Sequence, residues 1–250
     1  MHQLFKPLML PKITANTYKN YGYIVKKIAI LIPTRERPAD LKLFLDSWVK
    51  YTEGLSDLWI QVDKDDPTDY HFVKKYNCIK LVGDREPFLH ILNGLAKISS
   101  KQYDYVGFME DDCCFTQLWE KIFIDKLDEI KKEKGYGIVW GNDNINKENI
   151  VGLPFMTSNI VKTLGYMSPP ELEFLWADYF WKHLGQALDC LHYFPDILIE
   201  HRHYSTGKRE KCKISEIVDK KGEKDYYNYM KYQNQGFEND VKKLKASNQA

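Results

Sequence analysis

The chain has 250 residues, 44% of them hydrophobic, enough for one sizeable core or one core with a small appendage. Lys and Arg total 36 against 35 Asp and Glu, a net charge of +1 that excludes a global field able to hold a polyanion or an anionic membrane. Five cysteines, Cys78, Cys113, Cys114, Cys190 and Cys212, are odd in number and form no C-x-x-C, so neither a disulfide framework nor a zinc ribbon is expected, and a reducing cytosol fits best.

Residues 1–26 read as an N-terminal extension. Its apolar stretch is broken by Lys6, Pro7, Pro11 and Lys12 before it reaches the length of a signal-peptide core. No apolar run approaches the roughly 18 to 20 residues of a bilayer span, so a soluble, cytoplasmic protein without membrane insertion is expected.

From Lys27 strand-like and helix-like pieces alternate. KIAILIP reads as a fully buried strand, and PADLKLFLDSWVKY as a helix with Pro38 near its start and Leu41, Leu43, Phe44, Leu45 and Trp48 on an apolar face. LWIQVD is a second strand, PTDYHFVKKY a short helix, CIKLV a third strand, EPFLHILNGLAKI a helix and YVGFM a fourth strand. The order predicts right-handed crossovers and a mostly parallel sheet with helices on both faces. LWEKIFIDKLDEIKKEK follows as a helix ended by Gly135, then GIVWG as a fifth strand and a loop-rich stretch over 142–156. SNIVKTLGY reads as a helix with Ser158 at its N-cap, ELEFLWADYFWKHLGQAL as a longer amphipathic helix, and CLHYF and ILIEHRH as two short strands. The tail, 208–250, is rich in Lys, Glu, Asn and Tyr and reads as a helical arm or a partly disordered segment with little share in the core.

Polar clusters follow the strands: TRER after the first, DKDD after the second, GDRE after the third and EDD after the fourth. In an open α/β sheet these loops converge on one crevice, where ligands bind. Neither G-x-G-x-x-G nor G-x-x-x-x-G-K-[ST] follows the first strand, which removes the anchor for a dehydrogenase or an ordinary ATPase. Three adjacent acids, Glu110, Asp111 and Asp112, repel one another, and a hard divalent cation shared with substrate phosphates is the usual compensation. The plainer alternative is an acidic turn that caps the next helix. In IEHRH, side-chain alternation along a strand sends His201 and His203 to one face and Arg202 to the other, so one or both imidazoles are candidates to join Asp112 at a metal or to meet phosphates. Asp178 lies among Trp176, Tyr179, Phe180 and Trp181, where desolvation would raise its pKa and suit it to general-base work, with Glu171 and Glu173 as nearby substitutes.

Taken together IPTRERP, EDD, WGND, YMSPPELEFLWADYFWKHLG and IEHRH, over roughly Lys27 to Lys208, resemble the GT-A glycosyltransferases, among them the small single-domain enzymes common in bacteriophage and bacterial genomes. The resemblance implies a Rossmann-like, mostly parallel central sheet flanked by helices. It divides into a nucleotide-binding half over 27–115 and an acceptor half over 116–207, with the tail after it. It also implies transfer of a sugar from a nucleoside-diphosphate sugar, with UDP-sugar as the first choice, supported by Mn²⁺ or Mg²⁺. By the same resemblance Pro33, Thr34 and Arg35 would line the nucleoside pocket with Asp63, and Arg85 and Asn93 would face the nucleotide or its sugar. Arg37 and Asp111 join that donor side. Asp112 would bind the metal and Glu110 the ribose, and His203, with His201 as the alternative, would be the C-terminal metal or phosphate ligand. Glu110 departs from the family's usual first Asp. The acceptor is open among hydroxymethylated DNA, a glycan and a protein. Two rival readings are a sugar nucleotidyltransferase, against which PTRERP lacks a glycine-rich loop, and a non-catalytic module that docks on DNA or protein through Lys208, Arg209, Lys211, Lys213 and the tail lysines.

Overall fold

The structure, a computed structural model, describes residues 27–248, so the N-terminal extension lies outside the described residues. Its first strand, β1 (Ile28–Thr34), is buried at every position, as its unbroken aliphatic run requires. Each fully buried Ile or Leu there contributes roughly 1.5–3 kcal/mol over its exposed state. α1 (Pro38–Tyr51) follows with Pro at its first turn and buries Leu41, Phe44, Leu45 and Trp48. β2 (Ser56–Asp63), β3 (Cys78–Gly83), α2 (Phe88–Ser99) and β4 (Tyr105–Phe108) complete the alternating half. The expected helix over PTDYHFVKKY is reduced to a 3-10 turn, His71–Lys75.

The chain then departs from simple alternation. β5 (Cys113–Phe115) precedes α3 (Glu120–Lys134), which Gly135 closes in the left-handed conformation at φ +82°. β6 (Ile138–Asn142), β7 (Phe155–Thr157), α4 (Ser158–Leu164), α5 (Ala177–Ala187) and β8 (Leu191–His201) follow. β5 and β7, each three residues long, lie outside the strands expected from sequence. β8 joins the two strands expected there into one that runs through Pro195. Ser158 is not the N-cap of α4; Thr157 is, and the Ser158 hydroxyl is buried without a partner. α5 starts six residues later than its amphipathic pattern suggested.

The sheet order is β3-β2-β1-β4-β7-β6-β8-β5. Six strands run one way, with β5 and β7 against them. The order turns at β1, whose neighbours are β2 and β4, and the carboxyl ends of these strands open a crevice there. Buried Glu120 fixes the rim of the sheet, accepting from Thr52 Oγ1 (2.8 Å), Glu53 N (2.6 Å), Leu55 N (3.0 Å) and Ser56 Oγ. Trp119, fully buried, stacks on Phe115 at 4.6 Å and anchors β5 to the core.

The tail is helical, one of the two forms expected of it, but its share in the core is larger than expected. It forms α6 (Lys213–Gln235) and α7 (Phe237–Ser247), and Tyr229, Tyr232, Val241 and Leu244 are buried in the core. Aromatic spacing on a very polar helix carried that burial, and mean polarity hid it.

Candidate active site

After β4 the chain delivers Glu110, Asp111 and Asp112 into a turn and folds straight back as β5. β5 pairs antiparallel with the end of β8, Cys113 opposite His201, and the Arg202 N–H donates to the Asp112 carbonyl at 2.9 Å. This register brings the acids and the histidine together. Asp111 and Asp112 are buried, and each is divided between partners. Asp111 Oδ2 accepts from Thr34 Oγ1 at 2.7 Å and its Oδ1 from Arg37 Nη1 at 3.1 Å. Asp112 Oδ2 accepts from Arg209 Nε at 2.8 Å, with Arg37 Nη1 3.8 Å away. Asp112 Oδ1 faces His201 Nε2 at 3.4 Å, and that nitrogen lies 3.4 Å from Glu110 Oε2. Both Asp112 Oδ1 and His201 Nε2 are buried without a hydrogen-bond partner.

Charge sets the protonation states. Burial raises Asp111 above the usual carboxylate range, against the pull of Arg37. Burial also opposes ionisation of Asp112, but His201, Arg37 and Arg209 outweigh it and hold that carboxylate low. Burial works against the His201 imidazolium, yet Glu110 and Asp112 raise its pKa well above the ordinary value. His203 is lowered by burial and by its neighbour His201.

A cavity of about 460 Å³ opens over the acidic turn. Pro33, Thr34, Arg35, Arg37 and Asp63 line its β1–β2 side, Arg85 its β3 side, and Glu110, Asp111, His201 and His203 its floor and far wall. Arg35 Nη1 bridges Asp63 Oδ2 (2.9 Å) and Asp65 Oδ1 (2.6 Å). Burial opposes the Arg35 charge, but these two carboxylates raise its pKa above the normal value. Between the arginines Glu36 sits in the left-handed region at φ +54°, its N–H donating to Asp66 Oδ2 at 2.9 Å. That kink aims Arg35 at Asp63 and Arg37 at Asp111. His203 Nδ1 accepts from the Ser205 N–H at 3.3 Å, and its ring centroid lies 5.3 Å from that of His201.

A smaller cavity of about 110 Å³ shares Glu110, His201 and Phe174 with the first and is lined by Asp178. Burial pushes the Asp178 carboxyl up to about 6, against the Tyr179 N–H that donates to its Oδ1 at 3.0 Å; the Glu110 charge adds to the rise. Asn93 is not brought to either cavity. Its amide binds backbone instead, Nδ2 to Ser168 O (2.8 Å) and Oδ1 from the N–H groups of Met167 and Ser168 (2.9 Å each), so the expected nucleotide contact is corrected to a brace between α2 and the 167–168 loop.

Sequence reasoning missed three groups. Arg209, expected on a docking surface, instead donates to Asp112. Ser215 accepts from Arg37 Nη2 at 3.2 Å and, with Ile217, Val218 and Asp219 of α6, closes the larger cavity. Asp225 holds the 173–175 loop by its backbone. No local pattern marks any of them, because each acts across 50 to 178 residues of chain.

The acidic turn fits a divalent cation. Asp112 Oδ1 and His201 Nε2 face one another at 3.4 Å with no aligned hydrogen bond, and a cation held between them would displace the imidazole proton. Cys113 lies in the same cluster, its ligand atom within 4.8 Å of theirs. Burial and the neighbouring acids push its thiol pKa well up, and the same acids hold the His201 proton, so a cation bound here would release a proton from whichever of the two ligates it.

The fold is that of a GT-A, Rossmann-like α/β protein, with a helical C-terminal region. Among solved structures, the S. aureus TarS chain matches with TM-score 0.54 and 13% identity, over 69% of this chain and 36% of that one. The TarS 1–349 fragment in complex with UDP matches with TM-score 0.50 and 13% identity, over 69% of this chain and 59% of the fragment. The chain thus spans less than two thirds of either. No protein-family model and no curated protein matches the sequence. No helix among the described residues is long and apolar enough to cross a membrane.

Proposed function

We propose that this chain is a metal-assisted glycosyltransferase that moves a sugar from a nucleoside-diphosphate sugar, with UDP-sugar as the first choice, to an acceptor hydroxyl. The observation that carries the reading is the buried pair Asp112 Oδ1 and His201 Nε2, 3.4 Å apart with no aligned hydrogen bond, beside a cavity that gathers Arg35, Arg37, Arg85 and Arg209. A cation-compensated acidic floor under several guanidinium groups suits a diphosphate. The fold likeness to TarS, a glycosyltransferase whose fragment is solved with UDP, supports the same class.

In this reading Pro33, Thr34 and the Arg35–Asp63 pair take the nucleoside, and Glu110 takes a ribose or sugar hydroxyl. Asp112 and His201 hold the cation, and His203, neutral and on the cavity wall, faces the phosphates with Arg37, Arg85 and Arg209. When bound, the cation withdraws charge from the diphosphate as it leaves. The bond between the sugar's anomeric carbon and the diphosphate oxygen breaks, and the electron pair leaves with the diphosphate. The arginines stabilise the charge that develops there. The acceptor oxygen forms the new bond to the anomeric carbon, and Asp178, across the shared wall, accepts its proton.

Calorimetric titration of UDP with and without Mn²⁺ tests the reading, with donor hydrolysis measured for wild type and Asp112→Ala. Mn²⁺-dependent UDP binding that Asp112→Ala abolishes is expected. Full turnover of Asp112→Ala in EDTA defeats the metal assignment, and no UDP binding under either condition defeats the donor.

A further inference from the structure

Trp176, at the N-cap of α5, has φ +74° and ψ 0°, a left-handed conformation that bulky residues rarely adopt. Such strain persists only where the surroundings impose it. Here they belong to α6. The Asp225 carboxylate, fully buried, accepts the N–H groups of Glu173 (3.0 Å), Phe174 (2.7 Å) and Leu175 (2.9 Å), and Trp176 Nε1 donates to the Gly222 carbonyl at 3.2 Å. Held this way, the Trp176 ring stacks on Tyr179 at 4.9 Å, meets Tyr226 at 5.0 Å and overlies Tyr229 at 5.9 Å.

Core packing accounts for Tyr229, which is buried, and in part for Trp176, but leaves Tyr179 and Tyr226 open to solvent. Tyr179 and Tyr226 are 38% and 39% exposed, Tyr227 beside them 63%, and Leu175 37%. The result is a solvent-facing aromatic ledge. Trp176 joins it to the smaller cavity, whose wall it forms together with Asp178.

The geometry points to an acceptor subsite for a neutral carbohydrate on the ledge formed by Trp176, Tyr179 and Tyr226, leading into the Asp178 cavity. This inference rests on the glycosyltransferase reading and narrows its acceptor. Flat rings offer a negatively charged face to the polarised C–H groups of a sugar ring, and carboxylates accept from its hydroxyls. The ionisable groups lining the cavity are Glu110, Asp143, Asp178 and His201, with no Lys or Arg among them. Three lysines of the flanking helices have partners elsewhere. Lys221 and Lys224 both bind Glu173, and Lys182 donates to the carbonyls of Glu148 and Asn149. A phosphate backbone entering this cavity would meet three acids against the single charge of His201, which sets a nucleic acid or polyphosphate acceptor against the net field. A neutral glycan meets hydrogen-bond acceptors and apolar faces.

The test uses the full chain and named probes: linear trimers of glucose, mannose and N-acetylglucosamine, and an oligo-dT, followed by tryptophan fluorescence and calorimetry with and without UDP and Mn²⁺. At least one neutral trimer is expected to bind more tightly than the oligonucleotide. Tyr226→Ala and Tyr179→Ala should each weaken that binding about tenfold or more, a loss of roughly 1.4 kcal/mol, while Tyr226→Phe retains it. Circular dichroism checks that each variant is folded, and two separate alanine variants keep the test valid if one is not. Three results overturn the subsite: no trimer binding at millimolar concentration, binding that both alanine variants keep, or preference for the oligonucleotide. UDP binding in the same samples separates the two ideas. UDP binding without saccharide binding sinks only the subsite, and saccharide binding without UDP binding sinks only the donor assignment.

Discussion

Replacing Asp225 by Ala should free the 173–175 loop from α6. The carboxylate is fully buried and accepts three consecutive backbone N–H groups at 2.7 to 3.0 Å. A hydrogen bond to a charged group contributes roughly 1.5–3 kcal/mol, so the gross loss lies near 5–9 kcal/mol. Glu173 and Phe174 are only half-buried and Leu175 is exposed, so water replaces much of it, and the net destabilisation should be about 2–4 kcal/mol. For a chain of this size that lowers the melting temperature by roughly 5–12 °C. The same loss releases Trp176 from its left-handed conformation, so acceptor KM should rise further than UDP affinity falls, although Phe174 and Leu175 also line the larger cavity. Thermal denaturation by circular dichroism and transfer kinetics read the two effects separately. A melting temperature within about 1 °C of wild type, or a UDP affinity that falls as far as acceptor affinity, refutes the argument.

Arg35→Ala and Asp63→Ala should weaken UDP binding more than they slow the intrinsic step, the pattern of lost uniform binding; equal UDP affinity in wild type and both variants means the pocket is misassigned. The double variant Cys113→Ser, Cys114→Ser should keep most activity, because the proposed displacement needs no thiol. A buried hydroxyl at Cys113 should still cost stability by about 1–3 kcal/mol, which a urea melt will show. Transfer should fall as pH drops through about 6, where Asp178 takes up its proton, and Asp178→Asn should lose that limb together with about 10²- to 10⁴-fold in rate. The same raised carboxyl pKa means that the folded chain holds this proton more tightly than the unfolded chain. Its contribution to stability is therefore present below about 4 and lost as pH rises through 6, opposite in sign to its effect on rate.

The parallel half was legible because its strands are buried on both faces. IAILIPT and its neighbours carry their structure in composition alone, and the loops that follow them must meet at the crevice. Glu110, Asp111 and Asp112 could be placed from that rule. Their partners could not. His201 reaches Asp112 because β5 folds back on β8, and three residues of strand leave no readable period. Arg209 lies 97 residues from Asp112 in a segment with weak periodicity, and a lone arginine on a polar stretch looks the same whether it meets solvent or a buried carboxylate. Asp225 was hidden for a related reason. Its helix exposes mostly Lys, Glu and Asn, and the one acid that turns inward does so to bind backbone N–H groups, which carry no sequence signature of their own. Asn93 shows the converse: an amide in the middle of α2, expected as a ligand contact, is consumed by the backbone of Met167 and Ser168. Strand burial writes itself into many neighbouring residues at once, whereas a side chain that meets distant backbone writes itself into one. For that reason the crevice could be found from the sequence, while the helix that completes its wall required the fold.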